Sequence, residues 1–254
     1  MICKNCNHKF EGQFCSYCGQ NSKVQKIDFK YLTHEFSNSI LQVNNGFLYT
    51  IKELFVRPGH TIREFLAGKR VRHFKPLAFV LVTSTIYVLT SYITNSKTVL
   101  GDFISGLSEG FDSQSQTLAF FHNTLLWFEN NYAYSTLFTL LFFSFASFIV
   151  YRKSGYNYFE HIILNLYLTG QQTVIFLLLN SFYLVLNPEN FFMQLIILLS
   201  SICYTFWVFI QFFQNRKRVE NILRVILIYG LSAIFILVFF FIFWIIETAI
   251  VNGL

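Results

Sequence analysis

The sequence predicts an all-α integral membrane protein: five transmembrane helices with the N-terminus cytosolic and the C-terminus outside, preceded by a small zinc ribbon and interfacial amphipathic helices. Three observations carry this. Charged residues make up 13% of the 254-residue chain and apolar residues 54%, whereas a soluble domain carries about 25% charged residues. Five uncharged runs of 21 to 28 residues follow residue 75, and about 20 apolar residues suffice for a helix to cross the hydrocarbon core. Lys and Arg crowd onto one side of the resulting topology.

Residues 1–22 carry the first element, the pattern Cys3-x2-Cys6-x8-Cys15-x2-Cys18. Each Cys-x-x-Cys pair chelates from one tight turn. Eight intervening residues bring the two turns together, so that four thiolates complete a tetrahedron. Asn7 and Gly19 follow the two pairs, and both residue types tolerate the left-handed backbone that such turns use. All four positions are filled by protein, which points to structural zinc. A rubredoxin-type iron or an iron–sulfur centre uses the same thiolates. Disulfides are disfavoured by a reducing compartment, and a thioredoxin-like site lacks its βαβ context.

Residues 23–75 form a basic bridge. Phe47, Leu48, Ile51, Leu54 and Phe55 recur at helical spacing, as do Ile62, Phe65 and Leu66 after Pro58-Gly59. Two or three short amphipathic helices lying on the cytosolic membrane surface are expected. Lys69, Arg70, Arg72 and Lys75 then meet the first span, where each charge gains about 1 kcal/mol from anionic headgroups. These four are the candidate lipid or phosphate contacts. Nucleic acid is a weaker partner, because topology already accounts for the basic residues.

Residues 76–254 form the membrane domain, with spans expected at about 76–94, 132–151, 162–186, 190–213 and 224–247. Asn187-Pro188 marks a tight turn between the third and fourth. Residues 1–76 hold twelve of the nineteen Lys and Arg, and residues 152–153 and 216–224 hold six more. The opposite side keeps only Lys97. No cleavable leader is read in the first 76 residues. The segment 95–131 offers an interfacial helix through Leu118, Phe121, Leu125 and Phe128.

Two stretches are familiar together: "CKNC" with "GQFCSYCGQ", and "LFVRPGHTIREFLAGKRVRHFKP". With "YNYFEHIILNLY" at 156–167, they resemble a bacterial family of multi-pass membrane proteins of unknown function. The likeness covers about residues 1–80 well. It implies an inner-membrane protein with an N-terminal zinc ribbon, and it implies no activity. The matching positions are the four cysteines, Arg57, Pro58, Gly59, Gly68, Lys69, Arg70 and Pro76.

Polar groups within the spans are few. Glu160 and His161 are read at the mouth of the third span. Asn165, Thr169 and Gln172 share one face of it, either as helix–helix glue or as a pore lining. No nucleophile–base motif or phosphate loop is present, so an enzyme is the least supported class. The expected function is a membrane-anchored binding and assembly protein whose ribbon and basic bridge contact a cytosolic protein partner. The rival is an oligomeric channel, pore or transporter lined by Asn165, Thr169 and Gln172.

Overall fold

The computed structural model describes residues 1–24, 27–33, 46–93, 123–124, 126–128, 130–186 and 191–251. The seven helices used below are α1 (Gly46–Val56), α2 (Pro58–Ala67), α3 (Pro76–Ile93), α4 (Tyr132–Val150), α5 (Tyr158–Leu186), α6 (Phe191–Phe212) and α7 (Arg218–Val251). Five of them, α3 to α7, are long and apolar enough to cross a membrane.

The C-terminal ends of α3 to α6 lie within a residue of the expected ones, while α7 runs on to Val251, past the expected 247. Two starts also differ. The third span was expected from 162, but α5 begins at Tyr158. The cause is a reciprocal cap: the Asn157 N–H donates to Glu160 Oε2 at 2.8 Å, and the Glu160 N–H donates to Asn157 Oδ1 at 2.9 Å. This Asn-x-x-Glu box satisfies two of the amides that a helix start leaves unpaired. The last span was expected from 224, but α7 begins at Arg218. There Glu220 accepts from Arg216 at 2.6 Å and from Arg224 at 3.0 Å. Charges that pair with each other along a helix do not end it.

α5 is the central helix and packs on α3, α4 and α6. Gly170 permits a close approach to α3: a β-carbon there would stand 2.5 Å from the Phe79 ring. Gly170 lies twelve residues past Tyr158, roughly 18 Å along the axis. Phe79, by contrast, lies in the first turn of α3. The short α3 therefore starts far up the side of α5.

α1 and α2 fill the space this leaves. They do not lie flat as free surface helices. Leu54, Ile62 and Phe65 are fully buried in the same core as α5 and α6. Tyr204 OH donates to Leu54 O at 3.0 Å, Tyr167 OH to Phe74 O at 2.7 Å, and Gln171 Nε2 to Ile51 O at 3.4 Å. Arg63 Nη1 donates to Phe212 O at 2.8 Å and also to Gln211 O, capping the carbonyl end of α6. A helical period shows that an apolar face exists, but it does not say whether lipid or protein covers that face.

The predicted outer stripe at Leu118, Phe121 and Leu125 lies outside the described residues, as does the Asn187-Pro188 turn. Phe128 is described and packs edge-on against Phe138 and Phe240.

Candidate metal centre and the charged end of the bundle

Two turns of the same design build the cysteine site. In the first, the Asn7 N–H donates to Cys3 O and the Cys3 N–H to His8 O, both at 2.9 Å; in the second, the Gly19 N–H donates to Cys15 O and the Cys15 N–H to Gln20 O, both at 2.8 Å. Asn7 and Gly19 hold φ of 59° and 73°, the left-handed corners their residue types allow. Short bridges, Ile2 with Lys9 and Phe14 with Asn21, close each turn.

The four sulfurs converge. Cys3 Sγ lies 3.6 Å from Cys18 Sγ, and Cys6 Sγ lies 3.6 Å from Cys15 Sγ. All four lie within 4.8 Å of one another. Sulfurs at about 2.3 Å around one tetrahedral zinc are separated by about 3.8 Å, so the cluster fits a single ion. Burial opposes ionisation at Cys3, but amide donors from Cys6 and Asn5 outweigh it and bring the thiol to about 7. A His8 amide favours the Cys6 thiolate, yet burial and the sulfurs of Cys18, Cys15 and Cys3 push it up to about 12. Four thiolates at this spacing need a cation.

The ribbon sits on the helical body. A β-carbon on Gly68 would stand 3.0 Å from Val24 Cγ1 and 3.1 Å from Lys4 Cδ. Gly68 is the left-handed cap of α2 at φ 111°. Ile27 is buried in the main core, and its carbonyl accepts from Asn157 Nδ2 at 3.1 Å.

The four basic candidates divide. Lys69 pairs with Glu64 at 3.0 Å, and Glu64 also meets Arg57 at 3.5 Å. Arg70 lies over the rings of Tyr31 and Phe65, 4.7 and 5.3 Å from their centroids. Arg72 is exposed and Lys75 half-buried. Burial opposes the Glu64 charge, but the Lys69 hydrogen bond and the Arg57 charge outweigh it and hold the carboxyl below its ordinary range. Burial likewise holds His73 below the ordinary imidazole range.

The amide donors on the polar face of α5 go chiefly to neighbouring helices. Asn165 Nδ2 donates to Ser144 Oγ, Ser147 Oγ and His161 O at 2.9 to 3.2 Å. Gln172 Nε2 donates to Ser201 O, Ser201 Oγ and Thr205 Oγ1 at 2.9 to 3.1 Å. Thr169 lies between them, its carbonyl bonded by Thr173. Asn165 therefore serves α4 and Gln172 serves α6, rather than a common space. His161, in the first turn of α5, is 1% exposed, with Nδ1 2.9 Å from Ser147 Oγ. Sequence reasoning also missed Tyr151, whose OH donates to Asn221 Oδ1 at 3.0 Å while Asn221 Nδ2 bonds Phe213 O. The Asn157–Glu160 box was a readable signal for the first; nothing local marks the second.

Gln172→Leu is expected to loosen α6 from α5 by up to about 1.7 kcal/mol, the upper range for interhelical hydrogen bonds in a bilayer. Unfolding in mixed micelles measures this.

A family model described as "Protein of unknown function (DUF3667)" matches residues 44–88. The match spans α1, α2 and most of α3, and it includes Arg57, Pro58, Gly59, Gly68, the basic candidates and Pro76; the cysteines lie outside it. No curated protein and no solved structure matches the chain.

Proposed function

We propose that this chain is a membrane-anchored binding and assembly protein of the bacterial inner membrane. Its five-helix bundle holds a cytosolic zinc ribbon and a basic surface against anionic headgroups, and the ribbon presents itself to a cytosolic protein partner. Lys and Arg placement supports the cytosolic side for the N-terminus. The thiolate set supports zinc.

The observation that carries the reading is the fastening of the ribbon. Lys4 and Val24 rest on Gly68, and Ile27 is buried in the bundle core. A knob on a loose tether presents no fixed surface, whereas this one is held at the charged end. Exposed Phe14 and Tyr17, 59% and 76% accessible, give it apolar contact area. Against the channel reading, the amide donors of Asn165 and Gln172 all meet protein acceptors.

A photo-crosslinker placed at Tyr17 in intact membranes is expected to give a discrete partner adduct that disappears with Cys15→Ser. An adduct pattern unchanged by Cys15→Ser, at equal membrane level, overturns the reading. Ion flux through reconstituted protein that Gln172→Leu abolishes would favour the channel instead.

A further inference from the structure

We propose that α1 is a membrane element whose outward face lies among the acyl chains of the leaflet in which α3 begins. This rests on the membrane-anchored reading and adds a lipid-contact surface to it. Height, backbone pairing and outward composition carry it together.

Height comes first. α3 has 18 residues, about 27 Å at 1.5 Å per residue, against a hydrocarbon core of about 30 Å. It has no turn to spare, so its first turn stands inside the core. Phe79 belongs to that turn. The Phe47 ring, in the first turn of α1, is 5.7 Å from the Phe79 ring and 5.3 Å from the Phe74 ring. Further along α1, Leu54 O accepts from Tyr204 OH. Tyr204 lies eight residues before Phe212, the end of α6, about 12 Å inward. α1 therefore meets two spans inward of their ends and runs beside them, not beneath them.

The backbone breaks at this height are closed by protein groups. Helices resting in water can leave such groups to solvent, but lipid offers no partner. α1 ends at Val56. Within its last turn, Glu53 O accepts from the Arg57 N–H at 2.8 Å and Leu54 O from Tyr204 OH at 3.0 Å. Just before α3, the Phe74 N–H donates to Thr50 Oγ1 at 2.8 Å, and Phe74 O accepts from Tyr167 OH at 2.7 Å.

α1 is apolar on both sides. Thr50 and Leu54 are buried against the bundle. Leu48, Phe55 and Val56 face outward, and Leu48 and Val56 are 75% and 63% accessible. With exposed Lys52 they form one stripe at i, i+4, i+7 and i+8. A helix backed by water carries charge along such a stripe, whereas this one carries Lys52 alone. The Lys52 stem is long enough to bring its ammonium to the headgroups from apolar surroundings. Glu53, the other charged residue of α1, is turned to Arg57 at 2.5 Å. Acyl chains are the cover that this height and this composition both call for.

The test uses the metal-loaded full chain, without substitutions, in phosphatidylcholine bilayers. One sample contains phosphatidylcholine with a diazirine midway along an acyl chain, and another a water-borne diazirine. Mass spectrometry after illumination reads the labelled residues. Exposed Ile86 and Leu89 of α3 are the lipid reference, and exposed Phe14 and Tyr17 of the ribbon are the water reference. Leu48, Phe55 and Val56 are expected to take acyl-chain adducts in yields comparable to Ile86 and Leu89, and to lose the water-borne adducts that Phe14 and Tyr17 acquire. Water-borne adducts on α1, with acyl-chain adducts confined to α3, overturn the inference and leave the membrane reading intact. Labelling of α1 by neither probe means that protein covers the stripe, a second copy or another stretch of this chain, and overturns it equally. Absence of acyl-chain adducts from α3 as well overturns the membrane reading itself.

Discussion

Gly59→Ala is expected to push α2 off α6 and to destabilise the folded protein toward the upper end of the roughly 1–3 kcal/mol that overpacking costs. A β-carbon at Gly59 would stand 2.4 Å from Phe212 N and 2.5 Å from Gln211 C. The obstructing atoms include backbone, which cannot swing aside as a side chain does. Separation also sacrifices polar contacts. The Gly59 N–H donates to Gln211 Oε1 at 3.1 Å, and Arg63 caps Gln211 O and Phe212 O. Those carbonyls end α6 and have no onward helical partner. Gly230→Ala is the control: nothing stands within 4 Å of its added methyl, and alanine favours a helix interior over glycine. Reversible unfolding of both variants in mixed micelles measures the difference. Equal midpoints for the two would mean that α2 does not depend on its close approach to α6.

The contrast between these glycines shows what a sequence can and cannot carry. Pro58-Gly59 reads as a break between two amphipathic helices, and the break is there. That the glycine is the contact point of α2 with a helix some 150 residues later is long-range information. No period or propensity encodes it. The polar face of α5 behaves the same way. Spacing put Asn165, Thr169 and Gln172 on one side of a helix, but the acceptors are serines and threonines on α4 and α6. Ser144, Ser147, Ser201 and Thr205 look unremarkable in their own segments. Only the packing order assigns Asn165 to one neighbour and Gln172 to another. The start of α5 was placed too late for a local reason: charge gaps begin a span after its last charged residue, while the capping box at Asn157 and Glu160 starts the helix earlier.

The cysteine cluster lies at the other extreme, because ligand spacing is itself the geometry. Two residues within each pair and eight between them brought four sulfurs within reach of one ion, and Asn7 and Gly19 took the predicted corners. What spacing left out was where the ribbon rests. Lys4 and Val24 meet a glycine more than 40 residues away, and Gly68 announces itself only as a helix cap.

Removing the metal is therefore expected to act on two scales. The full chain should hold one ion per molecule, lost on substituting Cys3 or Cys15 with serine and retained in Cys203→Ser, whose thiol is exposed and outside the cluster. X-ray absorption should find four sulfurs at about 2.3 Å if the ion is zinc; an iron edge would reassign the metal without moving the ligands. Binding must displace thiol protons, so affinity falls as pH falls, and the ion leaves in acid before the helices unfold. For structural zinc in small domains the binding energy is about 10–16 kcal/mol and is largely folding energy. The ribbon, whose own core is Phe10 with two cysteines, should lose its amide protection entirely. The bundle should not. Its core holds Ile27, Leu54, Phe65, Phe79, Tyr167 and Phe209, all 1% exposed or less, and Lys4 of the ribbon rests on it at Gly68. Hydrogen exchange on metal-free protein should thus show fast exchange over 1–22, a step of intermediate protection at 65–75, and unchanged protection in α5. Fast exchange spreading into α5 would mean that the ion stabilises the whole membrane domain. Protection unchanged at 65–75 would mean that the ribbon rests on Gly68 without supporting it.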